Sequence, residues 1–132
     1  MKPMSASITK TLQPESYLKC IDNTGADLLQ VIAVKNYKGV KRRRSKCGIG
    51  DVIVVTVKKG TPKMRHEVVE AIIVRQVKEY RRPNGIRICF EDNAAVLINE
   101  RGEPRGTRLK GPIAKEAVER FSAVGKIASM IV

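Results

Sequence analysis

Between Leu28 and His66 the chain carries eleven lysines and arginines against one acid, Asp51, and six of the eleven fall in a single run: Lys38, Lys41, Arg42, Arg43, Arg44 and Lys46. A charge run usually ends as a solvated loop. Four consecutive uncompensated cations repel one another, though, and phosphate relieves that repulsion, while the planar arginine fork can bridge neighbouring phosphate oxygens. We therefore expect this loop to hold a sugar-phosphate backbone, reading phosphate and not base edges. Smaller basic groupings point the same way. They are Lys58, Lys59 and Arg65, then Tyr80-Arg81-Arg82 at the approach to a turn, then Arg105, Arg108 and Lys110, which Glu100 and Glu103 partly offset.

The residues that could catalyse a reaction do not assemble. His66 is the only histidine, and between Arg65 and Glu67 it reads as a loop residue or phosphate contact. Cys20, Cys47 and Cys89 are widely spaced, without the close pairs of a zinc site or redox motif, so reduced thiols are expected, with Cys89 buried or half-buried in a strand. Cys47-Gly48-Ile49-Gly50-Asp51 lacks the third glycine and the following helix of a dinucleotide fingerprint, which leaves a bare turn. Glu91 and Asp92 are adjacent and would face opposite ways on a strand, so a turn role with Asn93 is expected. The chain thus reads as no enzyme, with no metal and no cofactor.

Composition narrows the partner. Lys and Arg number 26 against 13 Asp and Glu in 132 residues, a formal charge of +13 that disfavours compactness unless a polyanion neutralises it. One domain is expected at this length. A basic surface on anionic lipid would need an amphipathic basic helix or a lipid anchor, and a membrane span or signal peptide would need a long apolar run. None is visible, so we expect a cytosolic protein with no membrane partner. Three tyrosines and two phenylalanines are too few for an RNA-stacking platform. Folded RNA or duplex DNA fits better, and no helix-turn-helix or zinc finger supports the latter.

The elements that must position these cations are mainly strands. Residues 1–16 are polar, with Pro3 and Pro14, and read as an arm lying along a surface or ordering on a partner. Strands are predicted at Tyr17 to Ile21, Leu28 to Val34, Val52 to Val57 and Val68 to Val74, and again after Phe90-Glu91-Asp92-Asn93. A hairpin with a type I′ turn at Asn84-Gly85 precedes the last of them. Asp22-Asn23-Thr24-Gly25 reads as a turn whose side chains bond their own backbone. Residues 35–50 show no helical stripe, and 58–67 contain Gly60 and Pro62, so crossover helices have no place. The expected fold is mainly β: a small closed antiparallel five-stranded barrel, a meander over 17–100, with a projecting hairpin. Residues 101–132 supply a loop and one or two short helices. Gly111-Pro112 offers a helix start, Ile113, Ala117, Val118 and Phe121 an apolar face, Glu116 and Arg120 an i,i+4 pair, Gly125 a stop, and Ile127 to Val132 one more turn. Lys115, Glu116, Glu119 and Arg120 would then remain free for a protein partner.

Several blocks match a known family: Ala71-Ile72-Ile73-Val74 followed by Asn84-Gly85, Phe90, Asn93 and Val96-Leu97, together with Asp22-Asn23-Thr24-Gly25-Ala26, Gly48-Ile49-Gly50-Asp51, Gly106-Thr107-Arg108 and Gly111-Pro112. From Leu18 to about Ile127 the chain resembles the large-subunit ribosomal protein L-fourteen family. The resemblance implies a five-stranded barrel in the large subunit of a cytoplasmic ribosome, binding 23S-type rRNA and forming intersubunit bridges to small-subunit rRNA. It further implies ribosomal proteins L-three and L-twenty-four-e as neighbours, and an anti-association factor docking on the C-terminal region. The basic loop, the Phe90-Glu91-Asp92-Asn93 block and the Tyr80-Arg81-Arg82 tip resemble archaeal or eukaryotic members, and the lack of a Gly/Ser-rich N-terminal extension favours an archaeal source. The competing reading is a free-standing translation factor or RNA chaperone of small-barrel type.

Overall fold

Along β-branched segments, side chains alternate between two faces, and one face must find a core. The computed structural model, which describes residues 2–132, resolves this into five barrel strands. They are β1 (Tyr17–Cys20), β2 (Ala26–Val34), β3 (Val52–Gly60), β4 (Val68–Arg75) and, after a small hairpin of β5 (Tyr80–Arg81) and β6 (Arg87–Ile88), β7 (Ala94–Ile98). In β3 the inward set Ile53, Val55 and Val57 is buried and the outward set Val54, Thr56 and Lys58 is half-covered. Burying an aliphatic side chain of this size contributes about 1.5 to 3 kcal/mol. β7 is buried on both faces, as is β4 from Ala71 onward, because the chain from Pro104 to Ala117 lies over them through Leu109, Ile113, Ala114 and Ala117.

The barrel closes in the order β1-β2-β3-β4-β7. Its closing pair corrects the expected all-antiparallel meander: β1 and β7 run parallel, with Lys19 opposite Ala94 and Cys20 opposite Ala95. An odd number of alternating strands leaves the first and last pointing the same way, so a closed five-stranded meander must contain one parallel seam. The strand ends then sort the connections. One end of the barrel carries the β2–β3 loop and the segment from β4 to β7. The other carries the β1–β2 turn, the β3–β4 loop and the chain leaving β7. With strands of about eight residues tilted as in small barrels, the two ends lie on the order of 20 Å apart.

The hairpin turn also differs from expectation. A type I′ turn centred on Asn84-Gly85 would be closed by Pro83, which has no N–H to donate. The loop closes one residue further out: Arg82 N–H donates to Ile86 O at 2.9 Å and Gly85 N–H to Arg82 O at 2.9 Å. Pro83 and Asn84 occupy the turn, and only Gly85, at φ +86°, is left-handed. This is the three-residue loop with a terminal glycine. Gly85→Val should therefore cost about 1 to 3 kcal/mol through backbone strain, even though a Cβ there meets only the tip of Arg81. Thermal unfolding measures it, and an unchanged midpoint would show that the turn tolerates a side chain.

The C-terminal segment departs further. Pro112 does not begin a helix: Pro112–Ile113 is a strand, β8, paired in parallel with Met130–Ile131, β9, which replaces the expected last helical turn. Helix α1 spans only Lys115–Arg120 and α2 only Ser122–Lys126. The break falls at Phe121, whose φ of −128° and ψ of 85° are not helical. Gly125 lies inside α2 and does not end it. A Cβ at Gly125 would sit 2.5 Å from Val118 Cγ1, so this glycine permits the close approach of the two short helices. The N-terminal arm is likewise more integrated than its polarity suggests, since Leu12 joins the core and its backbone pairs with Cys47. Met1, the first residue of that arm, lies outside the described residues.

Candidate nucleic-acid interface

At the first end of the barrel the basic loop stands on fixed feet. Lys35 N–H donates to Val52 O at 2.9 Å, Cys47 N–H donates to Leu12 O at 2.8 Å, and buried Asp51 accepts from Gly48 N–H at 3.0 Å. Within the loop, Tyr37 Oη donates to Arg44 O at 3.3 Å, Arg43 N–H donates to Val40 O at 3.1 Å, and Arg42 turns the chain at φ +69°. Lys38, Lys41, Arg42, Arg43, Arg44 and Lys46 are all exposed. Among the described residues only Arg44 of these six meets an acid, Glu15, across 3.7 Å with both side chains well solvated, a contact of little energy. Cys47-Gly48-Ile49-Gly50-Asp51 forms the turn its glycines suggested, with Gly50 at φ +82°.

The neighbouring hairpin divides its expected RNA contacts. Arg81 is exposed, but Tyr80 is buried and Arg82 is nearly so. Both point into the fold: Tyr80 Oη donates to Glu116 at 2.7 Å, and Arg82 donates through Nε to Glu116 at 2.7 Å and through Nη2 to Val132 O at 2.6 Å. They are corrected here from nucleic-acid contacts to the means by which the hairpin is fastened to α1. Arg87, which sequence reasoning passed over, is exposed on the same hairpin and pairs with Glu79.

The second end gathers the remaining cations from distant parts of the chain. Lys59, Arg65 and Arg108 are exposed, Lys58 is half-covered, and Arg105 is engaged by Glu67 at 2.8 Å. Asn23 holds the loop that presents Arg108, accepting Thr107 N–H at 2.9 Å and donating to Thr107 Oγ1 at 2.9 Å. Asp22 bonds its own turn at Thr24 N–H, as expected, and also accepts Leu97 N–H at 2.9 Å across the parallel seam. Nothing local in the sequence signals either long-range role. Lys110 is exposed on the segment climbing back along the barrel, where its N–H donates to Ile21 O at 2.8 Å.

Of the four residues expected to face a protein partner, Lys115 and Glu119 do face outward. Glu116 is fully buried, and Arg120 turns inward to Asp51 at 3.2 Å, so these two do not form the surface i,i+4 pair. The i,i+4 spacing was a coincidence of sequence, overridden by better-oriented partners on other elements. Burial, with a further contribution from nearby Asp22 and Asp51, pushes the Cys20 and Cys47 thiols up to about 12, which leaves them without thiolate character near neutrality. Cys89 is exposed, contrary to expectation, and all three cysteines are unbonded. His66 is an exposed turn residue at φ +67°. Among the described residues no cluster of His, Cys, Asp and Glu could hold a metal ion, and no helix is long and apolar enough to cross a membrane.

Comparison with known proteins gives one consistent result. The profile of a family described as ribosomal protein L14p/L23e matches residues 11–132. Relatives each named large ribosomal subunit protein uL14 are similar over all 132 residues, with the whole of both chains covered. Identity is 52% for the protein of Methanocorpusculum labreanum, 53% for that of Halorubrum lacusprofundi and 53% for that of Haloarcula marismortui.

Proposed function

The chain belongs to the ribosomal protein L14p/L23e family of the large ribosomal subunit, and from that premise we propose that it grips 23S-type rRNA from both ends of its barrel and contributes to bridges with small-subunit rRNA. The observation that carries this reading is the sorting of charge. Apart from the solvated Arg44–Glu15 contact, acids are matched to Lys10, Lys19, Lys35, Arg75, Arg82, Arg87, Arg105 and Arg120, whereas Lys38, Lys41, Arg42, Arg43, Lys46, Lys59, Lys63, Arg65, Arg81, Arg108 and Lys110 are exposed and make no ion pair among the described residues. Such cations, carried on loops and strand ends that the barrel and Asn23 hold in place, are suited to phosphate contacts that fix a protein on folded RNA. The role is structural and not enzymatic, as the relatives' names also indicate.

Ultraviolet crosslinking of the chain within purified large subunits tests the two-ended grip. RNA adducts are expected in residues 38–46 and in 58–67 or 105–110, and adducts confined to one end would sink it.

Lys115 and Glu119 are the part of the C-terminal surface that this reading assigns to protein contacts, whether with ribosomal proteins L-three and L-twenty-four-e or with an anti-association factor. Lys115→Glu and Glu119→Lys should alter subunit joining or factor binding while leaving incorporation into the large subunit intact. Normal joining and normal factor binding in both reversals would mean that this face is merely solvated.

A further inference from the structure

A cleft of about 300 Å³ opens between the foot of the basic loop, the N-terminal arm and α1, walled by Lys10, Lys35, Tyr37, Lys38, Asp51 and Arg120. Its walls carry four positive charges, Lys10, Lys35, Lys38 and Arg120, against one negative, and Lys35 is paired in addition with Glu70, outside the lining. The negative charge is already engaged: Asp51 is buried, and its oxygens hold Lys10 Nζ at 3.1 Å, Arg120 Nη1 at 3.2 Å and Gly48 N–H at 3.0 Å. Asp51 thus positions two cations and Glu70 a third, and with Lys38 unpaired among the described residues the four cations still outnumber these two acids. Arg120 Nε is buried there without a hydrogen-bond acceptor among the described residues, which is unusual for so strong a donor.

The rest of the lining is Asn36 and a small apolar surface. Val34 and Val52 also line the cleft. Asn36, at φ +59°, turns the chain so that the Tyr37 ring lies against the backbone of Gly39, where a Cβ would fall 2.2 Å from the ring. Its hydroxyl donates to Arg44 O, across the loop. Cations beside an aromatic ring and a small apolar surface match the parts of a nucleotide, phosphate on one side and ribose with base on the other. The volume lies at the lower edge of the range for small-ligand sites, about 300 to 1,000 Å³, room for one nucleotide and not for a helical segment. Lys38 is shared with the basic loop, so a strand crossing the loop reaches the cleft without a break.

We propose that this cleft seats a single nucleotide of the bound RNA, its phosphate held by Lys10, Lys35 and Arg120 and its ribose and base laid against Tyr37, Val34 and Val52. The proposal rests on the RNA-binding reading and adds to it a defined subsite outside the basic loop itself.

Two measurements on the full-length protein test it. In the first, Lys10→Gln with Lys35→Gln is compared with a double control that removes the same charge elsewhere, Lys78→Gln with Lys126→Gln, in binding to 23S-type rRNA. The cleft variant should bind about tenfold more weakly, several times the effect of the control. Equal effects would reduce the cleft to bulk charge and overturn the proposal. In the second, backbone amide spectra follow titration with adenosine 5′-monophosphate or with inorganic phosphate. Shifts centred on residues 34–38 and 51–52, with the nucleotide binding more tightly than phosphate, are expected. Equal affinity would identify an anion site that an acidic side chain of a protein partner could fill, and shifts spread over both barrel ends would identify unspecific charge; either would overturn the subsite. Wild-type protein that failed to bind rRNA at all would instead remove the RNA-binding reading on which the subsite rests.

Discussion

Replacing Lys41, Arg42, Arg43, Arg44 and Lys46 together by Gln should flatten the log-log salt dependence of 23S-type rRNA binding by roughly 3.5 to 4.5, since each phosphate no longer neutralised lowers the slope by about 0.7 to 0.9. Affinity at low salt should fall by orders of magnitude, and the difference from wild type should shrink as salt rises. The barrel should be unaffected. The loop's feet are backbone hydrogen bonds at Lys35 and Cys47, and none of the five side chains is buried or makes more than a solvated ion pair. An unchanged thermal midpoint beside the weakened binding separates this outcome from unfolding. Unchanged affinity with an unchanged salt slope would show that the loop points away from RNA.

The largest effect on stability is expected at Glu116. Its carboxylate is fully buried and accepts from Tyr80 Oη at 2.7 Å, Arg82 Nε at 2.7 Å and Arg82 Nη2 at 3.2 Å, which joins the hairpin to α1. Glu116→Ala leaves a mostly buried guanidinium without its counter-charge and a buried phenol without its acceptor, a change that costs about 3 to 5 kcal/mol. For a chain of this size that lowers the unfolding midpoint by roughly 10 to 25 °C. Burial alone would push the Glu116 carboxyl up, but the hydrogen bonds from Arg82 and Tyr80 hold it below the usual carboxylate range. A depressed folded-state value makes this stabilisation complete above the unfolded carboxylate value, about 4.3, and loses it as pH falls through the folded one. Glu116→Gln should accordingly lie between wild type and Glu116→Ala near neutrality and lose less stability on acidification. A Glu116→Ala midpoint within a degree or two of wild type would show that the buried pair contributes no net stability.

The parts of this fold that were legible in the sequence are those whose causes are local. The β-branched runs at Val52–Val57 and Val68–Val74 mark strands because alternation and burial act within a few residues, and Asp22-Asn23-Thr24-Gly25 marks a turn because its side chains bond their own backbone. The parallel seam was implicit in the count of five but follows only once closure is taken seriously. The Asn84-Gly85 pair by itself suggests a two-residue turn, and it is the missing N–H of Pro83 that moves the closure out to Arg82 and Ile86. What could not be read was the partner of each charge. Arg82 and Glu116 lie 34 residues apart, and at the sequence level Arg120, four residues on, was the obvious mate. The same blindness hid the cleft, whose lysines at 10 and 35 and arginine at 120 come from three elements with no common motif. Residue type showed where cations were; only topology showed which were already paired.

The most direct measurement of the central claim is sedimentation of native lysate through a high-salt sucrose gradient, with the chain quantified by mass spectrometry in each fraction. One copy per large subunit, retained through a wash that strips loosely bound factors, is the predicted result. A chain that leaves the large subunit in that wash and runs at the top of the gradient would contradict the account and favour a free-standing RNA-binding factor.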